Sequence, residues 1–173
     1  GRVAMDRGAP HDLIAEDLTR AQARHNTSPI IAPFREPPRH RASVNPRFAI
    51  TCSAELLAGC GWAARDQPGT FIQTHLAETA SECARVRALF PDAPDYTSIY
   101  DTAGLLTPRT LLAHCIHMSR EEWGLLQARG STAVHCPSAN MFLRAGLFDA
   151  DAARAAGVPI ALRSDVAGGP GIA

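Results

Sequence analysis

The sequence lacks net charge, lysine and any long apolar run. Its 17 basic residues, all arginine, balance 17 acidic ones within 173 residues, so neither a nucleic acid nor an anionic membrane is indicated as a partner. No apolar stretch approaches the ~18–20 residues of a membrane span, and no secretory signal is present. With 46% hydrophobic residues, the chain is long enough to bury one sizeable core, and we expect a single globular domain.

Paired cysteines are also missing. The five cysteines are odd in number and include no Cys-x-x-Cys pair, which argues against a disulfide framework and against a structural zinc knuckle. We therefore expect a reducing compartment, the cytoplasm. Cys115 follows His114 directly, but the sequence supplies no paired base that would make it a nucleophile.

Strand-like and helix-like segments alternate along most of the chain. Short apolar runs predict strands at 48–51, 70–75, 110–114, 131–135 and 158–162. Helical spacing and capping residues predict helices at 12–25, 53–67, 78–89, 96–103, 119–129 and 148–156, with loops at 26–46 and 136–140. Units of strand and helix, each about 30 residues long, predict an α/β fold with a parallel sheet.

Several strand-like runs end in side chains that bind metals or carry protons. His75, His114, His135 and Asp165 all follow such runs, and Glu78 stands three residues after His75. If the units form one barrel, these residues share the rim where such barrels build active sites. Imidazole and carboxylate ligands suit zinc, which activates a bound water. Taken singly, each histidine can instead be structural, and His135 is interpreted in that way.

Longer motifs resemble guanine deaminases of the amidohydrolase superfamily. The matching segments include Pro46-Arg47-Phe48, Gln73-Thr74-His75-Leu76-Ala77-Glu78 and Ser164-Asp165-Val166-Ala167-Gly168-Gly169, and the similarity covers most of residues 47–169. The resemblance implies a (β/α)8 barrel of the TIM type, specifically the metal-dependent hydrolase kind. Residues 1–173 would form a partial barrel domain with about strands 3 to 8, in which 26–46 matches poorly.

The resemblance also implies a reaction and a site. The reaction is zinc-dependent hydrolysis of guanine to xanthine and ammonia, in a parent protein that is a homodimer. His75 and Asp165 would bind Zn²⁺, Glu78 would carry protons, and His114 would place the attacking water or the purine, so Glu78, His114 and Asp165 form the catalytic set. The guanine pocket would include Arg47, Phe48, His75 and Glu78, although Arg47 alone can be a plain surface charge.

The sequence departs from the family at the metal site. No His-x-His occurs, which removes two expected zinc ligands; Thr79 replaces an Asn, and Arg163-Ser164 replace a Gly-Thr pair, placing a cation near Asp165. Three alternatives therefore stay open: deamination of another purine or triazine ring, a catalytically dead truncated module, or a metal-free α/β domain. We expect the isolated 173 residues to bind no zinc tightly, to release no ammonia and to be marginally folded.

Overall fold

Five parallel strands form the centre of the computed structural model, which describes residues 43–165. They pair in chain order, from β1 at one edge to β5 at the other. The strands are β1 (Ser43–Val44), β2 (Phe71–Leu76), β3 (Thr110–His114), β4 (Thr132–His135) and β5 (Ile160–Leu162). The helices are α1 (Ala54–Asp66), α2 (Ala80–Leu89), α3 (Tyr96–Thr102), α4 (Arg120–Arg129), α5 (Pro137–Phe142) and α6 (Ala150–Ala155). The predicted parallel α/β architecture is confirmed, while the helix predicted at 12–25 lies outside the described residues.

The two faces of the sheet bury different layers. One face packs side chains such as Ile72, Leu112 and Ala133 against buried residues of the helices. The other carries a smaller cluster that includes Ala113 and Val134. Successive strand residues point to opposite faces of the sheet, so the pairing register fixes which side chains lie on the same face as Ala113 and Val134. His75 pairs with Ala113, Ala113 with Val134, and Val134 with Ala161, so small side chains lie beside the histidine.

Capping boxes at the starts of α2 and α4 also anchor α3. The Thr79 hydroxyl accepts from the Glu82 N–H, and the Glu82 carboxylate accepts from the Thr79 N–H in return. A box of the same kind opens α4 and contains Glu122. Both carboxylates are buried, and each accepts from the first turn of α3, Glu82 from the Tyr96 hydroxyl at 2.8 Å and Glu122 from the Thr97 hydroxyl at 3.0 Å. The three helices are therefore joined by charged hydrogen bonds.

The strand predicted at 48–51 is wrong. Phe48 is extended, but Ala49–Thr51 form a 3₁₀ helix closed by the Thr51 N–H on the Phe48 carbonyl at 3.1 Å. The Ala49 N–H donates to the Tyr100 hydroxyl rather than to a neighbouring strand. The strand of this unit lies earlier, at β1, within the segment predicted as a loop. Buried Val44 explains its position, because it pairs with Ile72 at the sheet edge.

The loop predicted at 136–140 is also wrong. Pro137 occupies the first turn of helix α5, where a missing N–H is no disadvantage. The last predicted helix begins later than expected, because the Asp149 carboxylate caps its first turn by accepting from the Ala152 N–H at 2.8 Å. The remaining helices and strands lie within a few residues of their predicted bounds.

Large apolar side chains are exposed around α5 and β5. These are Met141, Phe142, Leu143, Leu147 and Leu162. Exposed apolar surface of this kind is consistent with the expectation of marginal folding in isolation, which stays a prediction. Within residues 43–165, every helix is too short or too polar to cross a membrane.

Candidate metal centre

Two histidines and one aspartate converge at the carboxyl ends of the strands. His75 is in β2, His114 ends β3, and Asp165 follows β5 by three residues. One ligand atom from each lies within 4.8 Å of the others. The two imidazole rings stack with centroids 5.3 Å apart and an interplanar angle of 24°. The predicted meeting of residues distant in sequence is thus present in the structure.

The hydrogen bond of His75 leaves one ring nitrogen ready to bind a metal. Its Nδ1 lies 2.7 Å from the carbonyl oxygen of Arg47. A carbonyl can only accept, so Nδ1 carries the hydrogen and Nε2 keeps its lone pair. Metal-binding histidines are commonly held by a backbone carbonyl in this way. Burial also lowers the pKa of His75, which favours the neutral ring that a metal requires.

His114 is completely buried and faces two carboxylates. Its Nδ1 lies 2.8 Å from the Oδ1 atom of Asn140. Its Nε2 lies 3.6 Å from the Oε1 atom of Glu78 and 3.9 Å from the Oδ2 atom of Asp165. Among residues 43–165 this nitrogen has no hydrogen-bond partner. A buried nitrogen without a partner, at the rim where His75 and Asp165 converge, is placed to contact a bound ligand.

Glu78 lies on the connection from β2 to α2, with its carboxylate toward His114. Its backbone N–H donates to the Glu82 carboxylate at 2.9 Å, which fixes the main chain at this point. Desolvation by burial raises the pKa of Glu78. A carboxyl group with a raised pKa can hold and release a proton closer to neutral pH than an exposed one.

The backbone adopts the left-handed region repeatedly at this rim. Ala77, His114, Cys115 and Asp165 have φ values of 50°, 73°, 48° and 53°. Hydrogen bonds hold the turn, since the Cys115 N–H donates to the Leu76 carbonyl at 2.9 Å. Residues other than glycine rarely adopt this conformation, and such strain concentrates at functional sites.

Arg47 and Phe48 lie directly beside the cluster. The guanidinium carbon of Arg47 is 5.0 Å from the centroid of the Phe48 ring, and that ring is 5.8 Å from the His75 ring. The Thr74 hydroxyl donates to the Arg47 carbonyl at 3.1 Å. The guanidinium of Arg47 is therefore next to the Phe48 ring, and the Phe48 ring is next to the candidate metal ligand His75.

A buried tyrosine network behind β2 was missed by the sequence reasoning. The Tyr100 hydroxyl donates to the His75 carbonyl at 2.7 Å, accepts from the Ala49 N–H at 3.1 Å and lies 3.2 Å from the Thr74 hydroxyl. Burial raises the pKa of Tyr100, so the hydroxyl keeps its proton. The spacing Thr79-x-x-Glu82 signals the capping box, but no sequence pattern points to the tyrosine.

Two other residues singled out by the sequence, His135 and Cys115, do not belong to the cluster of candidate ligands. The ring of His135 stacks on Phe148, with centroids 4.8 Å apart and an angle of 19°. Cys115 is buried, and burial raises the pKa of its thiol. Asn140, in the segment predicted as a loop, is the side-chain partner of His114.

The replacements at positions 79 and 163 have local partners. Thr79 caps α2, a role for which its hydroxyl is well suited. The Arg163 guanidinium donates to the side-chain oxygen of Gln73, with Nη2 at 3.2 Å, when the amide is oriented as hydrogen bonding requires. Gln73 precedes His75 by two residues, and Arg163 precedes Asp165 by two. We call this pair the Gln73–Arg163 clasp.

The chain is similar in sequence to known proteins. The model of the amidohydrolase family matches residues 5–171. A probable guanine deaminase from Schizosaccharomyces pombe is 43% identical over 126 residues, which is 73% of this chain and 24% of that protein. The chain therefore spans about a quarter of that relative's length.

Solved structures extend the likeness to the fold. A guanine deaminase from E. coli superposes with a TM-score of 0.92 at 32% identity, covering 99% of this chain and 40% of that one. A guanine deaminase from C. acetobutylicum with bound guanine gives a TM-score of 0.88 at 32% identity, covering 96% and 39%. The predicted barrel of the TIM type, represented here in part, is confirmed. The chain belongs to the amidohydrolase family.

Proposed function

We propose that this chain forms part of a zinc-dependent guanine deaminase, which hydrolyses guanine to xanthine and ammonia. The observation that carries the proposal is the convergence of His75, His114 and Asp165 within 4.8 Å. The relatives in S. pombe and E. coli, and the guanine found in the C. acetobutylicum structure, support the substrate. The complete gene product that contains this chain is called the parent protein below.

The donor atoms suit zinc. Zinc prefers neutral imidazole nitrogen and carboxylate oxygen, and the hydrogen bond from His75 to the Arg47 carbonyl leaves a free lone pair on that ring. His75 and Asp165 would hold the ion. When bound, it would lower the pKa of a water molecule and so supply a nucleophile near neutral pH.

The chain's own residues would supply the proton transfers. Glu78 would take a proton from the attacking water and deliver it to the amino group that leaves as ammonia, a task favoured by its raised pKa. The His114 Nε2 atom would accept a hydrogen bond from the same water. In the overall change, a C–O bond forms at the ring carbon and the C–N bond to the amino group breaks. One hydrogen of the water ends on the ammonia and the other on a ring nitrogen of xanthine.

Arg47 and Phe48 would bind the purine. A guanidinium presents a rigid set of donors that suits the acceptors on a purine edge, and the Phe48 ring offers an apolar surface beside it. Both residues already stand next to His75.

We further propose that the parent protein supplies ligands that this chain lacks. The sequence contains no His-x-His, and the chain covers 24% and 40% of two relatives. Two protein ligands rarely hold a catalytic zinc ion, because such sites use three protein ligands and one water. The isolated 173 residues should therefore bind zinc weakly.

The decisive test is ammonia release by the parent protein and by the 173-residue chain, each with zinc, on guanine, adenine and an aminotriazine. We expect turnover of guanine by the parent alone. Turnover of another ring in preference to guanine would replace the substrate, and turnover by the 173-residue chain would contradict the need for further ligands. Arg47→Ala should raise KM for guanine at least tenfold, whereas Arg120→Ala, at the exposed start of α4, serves as the matched control.

A further inference from the structure

We infer that Asn140 is a positioning residue that fixes the tautomer of His114, so that the Nε2 lone pair faces the acidic side of the metal centre. The tautomer is a property of the folded chain. Its catalytic consequence rests on the proposed function.

Both partners are buried, and backbone hydrogen bonds fix the main chain at Asn140. His114 is 0% exposed and Asn140 2% exposed. The Asn140 N–H donates to the Cys136 carbonyl at 2.9 Å, and its own carbonyl accepts from the Ala145 N–H at 2.9 Å. The next residue, Met141, is 73% exposed. Helix α5 thus presents the amide inward while its outer side meets solvent.

The contact between the two side chains selects one position for the ring hydrogen. An amide oxygen can only accept, so the 2.8 Å contact between Oδ1 of Asn140 and Nδ1 of His114 requires the hydrogen on Nδ1. A neutral ring then carries its lone pair on Nε2. His75 reaches the same state through the Arg47 carbonyl, so the two stacked rings are prepared alike.

The opposite tautomer is less suited to these surroundings. It would need the Asn140 amide turned to donate, and it would place an N–H on Nε2. The nearest carboxylate oxygens, on Glu78 and Asp165, are 3.6 and 3.9 Å away, beyond the length of a good hydrogen bond. Among residues 43–165 that N–H would have no hydrogen-bond partner, and burying it would cost free energy.

The tautomer has a direct consequence for the proposed reaction. A lone pair on Nε2 accepts a hydrogen of the attacking water and leaves the water oxygen free to bond to the purine. An N–H at the same place would donate to that oxygen and occupy the electron pair needed for attack. Loss of the Asn140 oxygen should therefore reduce kcat and leave KM for guanine nearly unchanged.

The primary test reads the tautomer without metal or substrate. Two-bond ¹H–¹⁵N NMR correlations of ¹⁵N-labelled, metal-free parent protein distinguish a protonated from an unprotonated ring nitrogen, and the His114 signals are assigned by their loss in His114→Gln. We expect hydrogen on Nδ1 and none on Nε2. Hydrogen on Nε2, alone or together with Nδ1, would overturn the inference.

Variants separate positioning from packing. Asn140→Leu removes the acceptor at similar volume and should mix the two tautomers and lower kcat about 10- to 100-fold, the range for partners behind metal-site histidines. Asn140→Asp keeps an oxygen at the same position and should retain the hydrogen on Nδ1. Met141→Ala is the control on the same helix and should change neither property.

The outcomes for the two proposals remain distinguishable. If the parent protein releases no ammonia from guanine, the proposed function fails, yet the NMR result on the wild-type ring still decides the tautomer. If Asn140→Leu does not fold, the wild-type spectrum and Asn140→Asp decide it. An unchanged tautomer and kcat in a folded Asn140→Leu protein would refute the role of Asn140.

Discussion

Strands β3 and β4 each end in a histidine at an equivalent position, but the two histidine rings lie in different surroundings. Leu112 pairs with Ala133 in the helix-facing layer, and each strand places a histidine two residues later, His114 and His135. If side chains simply alternated along each strand, both imidazole rings would lie on the same face of the sheet. Yet His114 lies in the cluster of candidate metal ligands, whereas His135 stacks on Phe148.

The difference lies in the backbone. His114 and Cys115 have φ values of 73° and 48°, so β3 leaves strand geometry at its last residue. His135 stays within strand β4, and the helix that follows begins with Pro137. A histidine at a strand end is therefore an insufficient signal for a ligand, since the turn that follows decides where the ring lies.

The largest effect should separate the metal-centre histidines from His135. In the parent protein, His75→Ala should abolish zinc retention and bring guanine turnover below detection, because it removes a donor from the cluster. His135→Ala should lose only the stacking with Phe148 and keep turnover within about threefold of wild type. Zinc content by mass spectrometry and ammonia release measure both. Loss of zinc in His135→Ala would erase the distinction between the two strand ends.

The second test concerns proton transfer at the β2 end. Glu78→Gln keeps the shape of the side chain but removes its proton chemistry, so kcat should fall about 10²–10⁴-fold while zinc content is retained. Glu121→Gln, in the exposed first turn of α4, is the matched control and should be neutral. A decrease of less than tenfold in Glu78→Gln would assign the proton transfer to another group.

The third test compares the two buried capping glutamates. Glu82→Ala and Glu122→Ala should each lower the free energy of unfolding by about 1–3 kcal/mol, because each leaves buried donors without an acceptor. Since only Glu82 binds the Glu78 N–H, only its replacement should also lower kcat in the protein that remains folded. Denaturant unfolding and steady-state kinetics supply the two readings. Equal kcat losses in both variants would indicate a general loss of folding instead.

The smallest effect should come from the Gln73–Arg163 clasp. A double-mutant cycle with Gln73→Ala and Arg163→Ala should give a coupling of about 1 kcal/mol in unfolding free energy, as expected for a partly exposed hydrogen bond to a charged group. Zinc affinity then tests whether the clasp also affects metal binding. If Arg163 mainly repels the cation, Arg163→Ala should bind zinc more tightly while Gln73→Ala does not; if the clasp mainly aligns His75 with Asp165, both should bind more weakly.

Much of the fold followed from local signals. Apolar runs predicted the bounds of β3, and capping residues predicted the helix starts at Ser53 and Ser119. The prediction failed where tertiary contacts replaced a local preference. Apolar residues at 49–51 form a 3₁₀ helix because tyrosine hydroxyls from α3 take the Ala49 N–H.

Part of the candidate site could also be predicted from the sequence. His75, His114 and Asp165 stand out because strand ends of a parallel sheet share one rim, and their convergence is observed. Asn140 and Tyr100 did not stand out, because each acts through a partner 25 or 26 residues away in sequence.

The alternation of strands and helices, the residues able to bind a cation and the resemblance to one family could all be predicted from the amino-acid sequence. Those properties depend on side-chain chemistry and on spacing along the chain. Folding determines which strand-end histidine turns toward the cluster and which ring nitrogen keeps its lone pair, because both depend on backbone angles at the rim and on hydrogen-bond partners that are distant in sequence.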